Sequence, residues 1–222
     1  MVCPTTAPSP NVYYINLAHR ADRRAQVEAE LERLSWANKA TRVEAVHVPE
    51  RGALGCALSH AHALRAFLAL GDGQGSASTS TSTSTLVPDF CVIAEDDVTF
   101  VRDPRPDFER FLSDFNDAWD VCMLASNTLV ERVIPERPYV TRVIDAQTTA
   151  CYAVTRAFAP TLLASFEQSA DRLSRAWSSA DCCDIYWKRL QPTARWYCLR
   201  PRPALQRESF SDIEGRITWY GV

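Results

Sequence analysis

The chain has 222 residues, 46% hydrophobic and 23% charged, an ordinary globular composition long enough to bury a core in one large domain. A net charge of −3 leaves no basic footprint and speaks against nucleic acid as the main partner. No apolar run approaches the roughly 20 residues of a membrane span, and the opening MVCPTTAPSPN has neither the basic start nor the apolar centre of a signal peptide, so a cytoplasmic protein without a transmembrane segment is expected.

After a Pro-bearing leader (residues 1–10), NVYYINL (11–17) is a β-prone run that fits a buried strand. AHRADRRAQVEAELERLSW follows with Val27, Leu31 and Leu34 at helical spacing and charges elsewhere, which predicts an amphipathic helix. ATRVEAVHV alternates well enough for a second strand, and GALGCALSHAHALRAFLAL reads as a second helix. The Gly/Ser/Thr-rich stretch 71–88 cannot pack a core and is expected to be a surface insert. Its glycines precede no helix, so they make no dinucleotide fingerprint.

FCVIA is a third strand, and it ends in three carboxylates, Glu95, Asp96 and Asp97. A helix around DFERFLSDF, a strand in WDVCMLA and a strand pair in YVTRVIDAQTTACYAVT come next. Helices over RAFAPTLLASF and SADCCDIYWKRLQ and a strand in RWYCL complete the order, with an irregular tail after it. Alternating strands and helices followed by mixed elements predict an α/β three-layer domain on a mainly parallel, mixed sheet. In such sheets ligands bind at the carboxyl ends of strands.

The three carboxylates stand at one such end. Mg²⁺ and Mn²⁺ take one or two protein carboxylates plus phosphate oxygens of a substrate; the alternative is an exposed, solvated turn. Asn16 closes the first strand at the same edge, and Arg20 and Arg23 fall in the following loop and helical turn, where guanidinium groups can meet a nucleotide or simply solvate a helix start. Gly52 and Gly55 permit close backbone approach at a helix start that favours anions, with Ser59 and His60 just beyond. His60 also reads as a core-facing helix residue. Asp181 and Asp184 are three apart, as on one helix face, and either suits a general base. Ser178-x-x-Asp181 also resembles a capping arrangement, which makes Asp184 the better candidate. Gln206, Ser211 and Asp212 fall on a late polar segment, where Ser211-x-x-Glu214 fits a capping box. The eight cysteines include no CxxC pair and mostly sit in apolar stretches, so they read as reduced core residues and speak against a structural zinc site or a disulfide framework.

Five blocks in order, YYINLAHRADRR, GALGCALSHAHAL, CVIAEDDVTF, TTACYAVTRAFAPTLL and ALQRESFSDI, resemble glycosyltransferase family 25, the lipopolysaccharide and collagen galactosyltransferases. The resemblance spans Val12 to about Ile217, without the leader and the Ser/Thr insert. It implies one GT-A-type domain over 11–217, a short tail at 218–222, a UDP-hexose donor (galactose or glucose), a glycan or glycoconjugate acceptor, Mn²⁺ or Mg²⁺, and inversion at the anomeric carbon. It implies Asp97 as principal metal ligand with Glu95 and Asp212, and Asn16, Leu17, Arg20, Arg23, Gly55, Ser59, His60, Glu95, Asp96, Gln206 and Ser211 around the nucleotide sugar. Asp184 is the implied base, with Asp181 in reserve. The chain lacks the acceptor-binding elaborations of larger members, and nothing here parallels the secretory context of the collagen enzymes. A metal-dependent phosphohydrolase and a non-catalytic sugar-nucleotide-binding relic are the two rival readings.

Overall fold

In the computed structural model the described residues are 10–72, 88–116, 118–211 and 216–218. The expected leader, Ser/Thr insert and tail fall largely outside them, as does Asp212; Ser211 is described in its backbone only.

The elements follow the predicted order. Strand β1 (Asn11–Asn16), helix α1 (Ala21–Arg33) and strand β2 (Ala40–Glu44) lead to helix α2 (Gly52–Asp72), then β3 (Phe90–Glu95) and the short β4 (Val98–Phe100). Helix α3 (Arg105–Phe115), β5 (Val121–Met123), β6 (Asn127–Val133), β7 (Val140–Gln147), β8 (Cys151–Thr155) and α4 (Ala159–Arg175) come next. The chain continues through α5 (Cys183–Tyr186), flanked by 3-10 turns, to β9 (Trp196–Leu199), β10 (Ala204–Gln206), β11 (Ser209–Ser211) and β12 (Arg216–Thr218).

Among the described residues the main sheet has eight strands in the order β2-β1-β3-β8-β5-β9-β7-β6. β1 is parallel to both β2 and β3, and β5 is parallel to β9. β8 and β7 run against their neighbours, so the sheet is mixed.

Period-2 alternation builds the three layers. Tyr13, Ile15, Cys91 and Ile93 face one side and share a core with Leu64, Phe67, Leu162 and Phe166 of α2 and α4. Val12, Tyr14, Val92 and Ala94 face the other, packing with Val27 and Leu31 of α1 and Phe108 and Phe111 of α3. This is the α/β sandwich expected from the element pattern. One composition-based expectation is corrected: Gly52–Leu70 is long and apolar enough to cross a membrane. Half of that stretch is buried inside the fold, as in the core helix of a globular domain.

Three further departures bear on the site. The three carboxylates do not end the strand run, because a tight turn leads straight into β4, which pairs with β10 as a separate two-stranded sheet. The tail expected to be irregular therefore supplies a strand that returns to the acidic turn. Helix 179–191 is not continuous: Cys182 is extended (φ −56°, ψ 138°), so Asp181 sits in a 3-10 turn and Asp184 in α5 rather than on one helix face. Lastly, β6 forms the sheet edge with Leu129, Val130 and Val133 exposed, so its sequence carries no buried-face alternation to read.

Candidate active site

Parallel pairing of β1 with β2 and β3 brings three carboxyl ends to one edge of the sheet. The antiparallel β8 begins at that edge, and Glu95 N–H donates to the Ala150 carbonyl at 2.9 Å. The acidic turn is thus pinned from both sides.

Asp96 and Asp97 are both 6% exposed. Asp96 Oδ2 accepts from Asn16 Nδ2 at 2.7 Å, and Asp96 Oδ1 accepts from Arg23 Nη1 at 3.1 Å. Asn16 is spent entirely on positioning, since it also donates to the Arg20 carbonyl and accepts from Arg42 Nε. Asp97 Oδ2 lies 3.4 Å from Arg23 Nη1 and accepts from Gln206 Nε2 at 3.2 Å. The β4–β10 pairing delivers that glutamine, setting Gln206 opposite Val98. Asp97 Oδ1 is buried with no hydrogen-bond partner among the described residues. Burial, then the neighbouring charges of Glu95 and Asp96, push the Asp97 carboxyl up to about 7 against the pull of Arg23 and Gln206. Burial also raises Asp96, less decisively because Asn16 and Arg23 hold its charge.

Glu95 is set differently. Its Oε1 accepts from Thr149 Oγ1 at 2.6 Å and lies 3.2 Å from His60 Nε2. Burial opposes its charge, but the contacts with His60 and Thr149 outweigh it and hold the carboxyl below its usual range. Burial likewise opposes a charge on His60, yet Cys56 and Glu95 raise the imidazole to about 9.

A cavity of about 150 Å³ opens over this corner, lined by Leu17, Arg23, Gly55, Ser59, His60, Glu95, Asp96, Asp97 and Gln206 together with the loop Val46–Glu50. Most of the residues expected around a nucleotide sugar therefore meet at one place. Gly55 is obligatory in its wall, since a Cβ there would stand 2.4 Å from the Val46 carbonyl oxygen. Ser59 clamps the same loop, accepting from Val46 N–H at 2.8 Å and donating to the Gly55 carbonyl at 2.6 Å. Asn16 and Arg20 are not in the lining; Asn16 stands behind Asp96, and Arg20 pairs with Asp22 at 3.0 Å.

A second cavity, of about 280 Å³, adjoins the first and shares Cys56, Glu95 and Gln206 with it. Asp184 lines it with Asn127, Thr148, Thr149 and Ser179. Burial raises the Asp184 carboxyl, the state a proton acceptor of useful basicity needs. Thr148 N–H donates to Asp184 Oδ2 at 3.3 Å from a backbone with φ of 84°. A β-branched residue at positive φ costs on the order of 1–3 kcal/mol, and such strain clusters at functional sites. Asp181 lines neither cavity; its carboxylate is held by Arg172 at 2.5 Å. Val46–Val48, read from the sequence as the end of the second strand, instead lie in a loop because β2 stops at Glu44, and Thr148, Thr149 and Cys56 fall in the blocks of the resemblance without a role expected of them. Gly55 was the available hint to the loop, because a glycine in an otherwise apolar helix signals close backbone approach.

No protein-family profile and no curated protein sequence matches the chain. Among solved structures, a mannose-1-phosphate geranyltransferase from Thermus thermophilus is similar at 13% identity and a TM-score of 0.43, covering 91% of this chain and 75% of that one. A protein assigned as a glucose-1-phosphate thymidylyltransferase from Bacillus anthracis, in complex with a sucrose, is similar at 13% identity and a TM-score of 0.33, covering 84% and 67%. At these values the two similarities carry no functional argument.

Proposed function

We propose that the chain is a metal-dependent, inverting GT-A-type glycosyltransferase that moves a hexose from a UDP-sugar to a hydroxyl of a glycan or glycoconjugate. The observation that carries this reading is a pair of cavities meeting at Glu95, with Asp97 in one and Asp184 in the other. Transfer needs two substrates side by side, whereas phosphoanhydride hydrolysis needs only one and a water.

The corner suits a hard divalent ion. Asp97 Oδ1 is a buried carboxylate oxygen without a partner among the described residues, and Asp97 shares the Arg23 guanidinium with Asp96, so an added cation would balance the acidic turn. Mn²⁺ or Mg²⁺ would be held by Asp97, with Glu95 adjacent, and when bound would supply charge stabilisation for a departing diphosphate. The chain's own groups do the rest. Arg23 and the Val46–Glu50 loop hold the donor against the acidic turn, and Gln206 closes the wall from β10. Asp184, buried and desolvated beside Thr148, takes the proton of the attacking hydroxyl. Glu95 and Gln206 belong to the walls of both cavities, so donor and acceptor are held side by side, which is where positioning contributes most.

The test is a panel of nucleotide sugars in Mn²⁺, scored for free nucleoside diphosphate with and without acceptor hydroxyls. Diphosphate release that an acceptor accelerates supports transfer. Release of nucleoside monophosphate with sugar phosphate assigns a phosphohydrolase instead, and UDP binding without any turnover assigns a non-catalytic binder.

A further inference from the structure

The expected metal motif is hard, made of carboxylate oxygens. Behind it the structure gathers a softer donor set. Cys56 and His60 are four residues apart in α2 and share a helix face. Glu95 comes from the end of β3. The Cys56 sulfur, a ring nitrogen of His60 and a Glu95 oxygen all lie within 4.8 Å of one another.

Three details fit a coordination site. His60 Nε2 and Glu95 Oε1 are 3.2 Å apart, near the ~3.4 Å edge of a tetrahedron with metal–ligand bonds of about 2.0–2.1 Å. The other ring nitrogen, Nδ1, meets the Tyr152 hydroxyl at 3.1 Å, the outer hydrogen bond that orients a metal-ligating imidazole. His60 is fully buried between Tyr152 and Phe166, so its ring is locked with Nε2 toward Glu95.

We propose that Cys56, His60 and Glu95 form a three-ligand site for Zn²⁺, with the fourth position open to the cavities. A thiolate and an imidazole select a borderline-soft ion, whereas Mg²⁺ and Mn²⁺ favour the all-oxygen surroundings of Asp97. The fourth position is open because Cys56 and Glu95 line both cavities. The Cys183 sulfur, 3.7 Å from that of Cys56, adds a second thiol next to the site without being required by it. The proposal rests on ligand geometry and stands whether or not the chain is a transferase.

The experiment uses the full chain, stripped of metal by a chelator, kept in a phosphine reductant and titrated with Co²⁺ and then Zn²⁺. The expected result is a thiolate-to-cobalt charge-transfer band that saturates at one equivalent of Co²⁺, whatever further Co²⁺ the Asp97 corner takes, and that Zn²⁺ abolishes. The band is lost in Cys56→Ser and His60→Gln and kept in Cys183→Ser and Asp97→Asn, with circular dichroism verifying that each variant is folded. A folded wild-type chain without the band, or a band that survives Cys56→Ser, overturns the site. Because the readout is binding, its failure is distinct from a failure to turn over a nucleotide sugar.

Discussion

The two cavities share a wall yet are built on opposite electrostatic plans. The first concentrates charge: three carboxylates, Arg23 and His60 converge from β3 and its following turn, α1 and α2, and among the described residues Asp97 Oδ1 is a buried acid oxygen without a hydrogen-bond partner. The second contains a single desolvated acid, Asp184, among small polar side chains and backbone amides, apart from the shared Glu95. A charge-dense corner suits holding a phosphate-bearing donor through a cation, since the like charges of the acids repel one another and a positive partner relieves that repulsion. An isolated acid with a raised pKa suits moving a proton. Under the proposed function, the clustered carboxylates would serve binding and the separate Asp184 the proton transfer.

Separating these roles gives the largest expected effect. Asp184→Asn should lower acceptor-dependent transfer by about 10²–10⁴-fold while leaving UDP affinity by calorimetry nearly unchanged. An equal loss of both would erase the distinction between the cavities. Asp97→Asn should lower transfer and acceptor-free donor hydrolysis together by on the order of 10²–10³-fold, read as initial rates of diphosphate release in Mn²⁺.

The same residue predicts a pH effect. A carboxyl raised from 3.8 to about 7 on folding contributes stability that is present at low pH and lost as pH rises through 7. The melting temperature of the metal-free protein should therefore fall between about pH 5 and about pH 8, with a shallower fall in Asp97→Asn, and Mn²⁺ should restore it at the upper end. His60, raised from 6.5 to about 9, has the same sign at higher pH. A metal-free melting temperature that rises across this window would overturn the picture of Asp97 as the surplus charge.

Two smaller effects concern one wall residue and one residue outside both cavities. Ser59→Ala strips the Val46 N–H of its acceptor and should cost about 1–3 kcal/mol in denaturant unfolding. Asp181→Asn should change transfer least, within about 3-fold, because its carboxylate faces Arg172 rather than a cavity. A loss as large as that in Asp184→Asn would exchange their roles.

Much of the fold was legible because the signals were local. NVYYIN and FCVIAE are apolar runs long enough to read as strands buried on both faces, and the helices between them carry clear periodicity. Short strands were not legible. β4 and β10 have three residues each, too few to display alternation, and their pairing alone carries Gln206 to Asp97. The break at Cys182 was equally hidden, since a single extended residue leaves the composition of a helix unchanged.

For the site, the residues themselves determined which chemistry was available: three adjacent carboxylates after an apolar strand, an arginine in the first turn of the first helix, and a Gly-x-x-x-Ser-His run opening the second. Tertiary structure decided how that chemistry was divided. Arg23 reaches Asp96 across 73 residues, Thr149 reaches Glu95 across 54, and Gln206 reaches Asp97 across 109. Among the described residues these partners leave Asp97 with a buried, unmet oxygen, and they set Glu95 apart with His60 and Cys56. Burial and long-range pairing distinguish the three acids physically. Both are properties of the folded chain, which is why like functional groups in consecutive positions end with different partners and opposite pKa shifts.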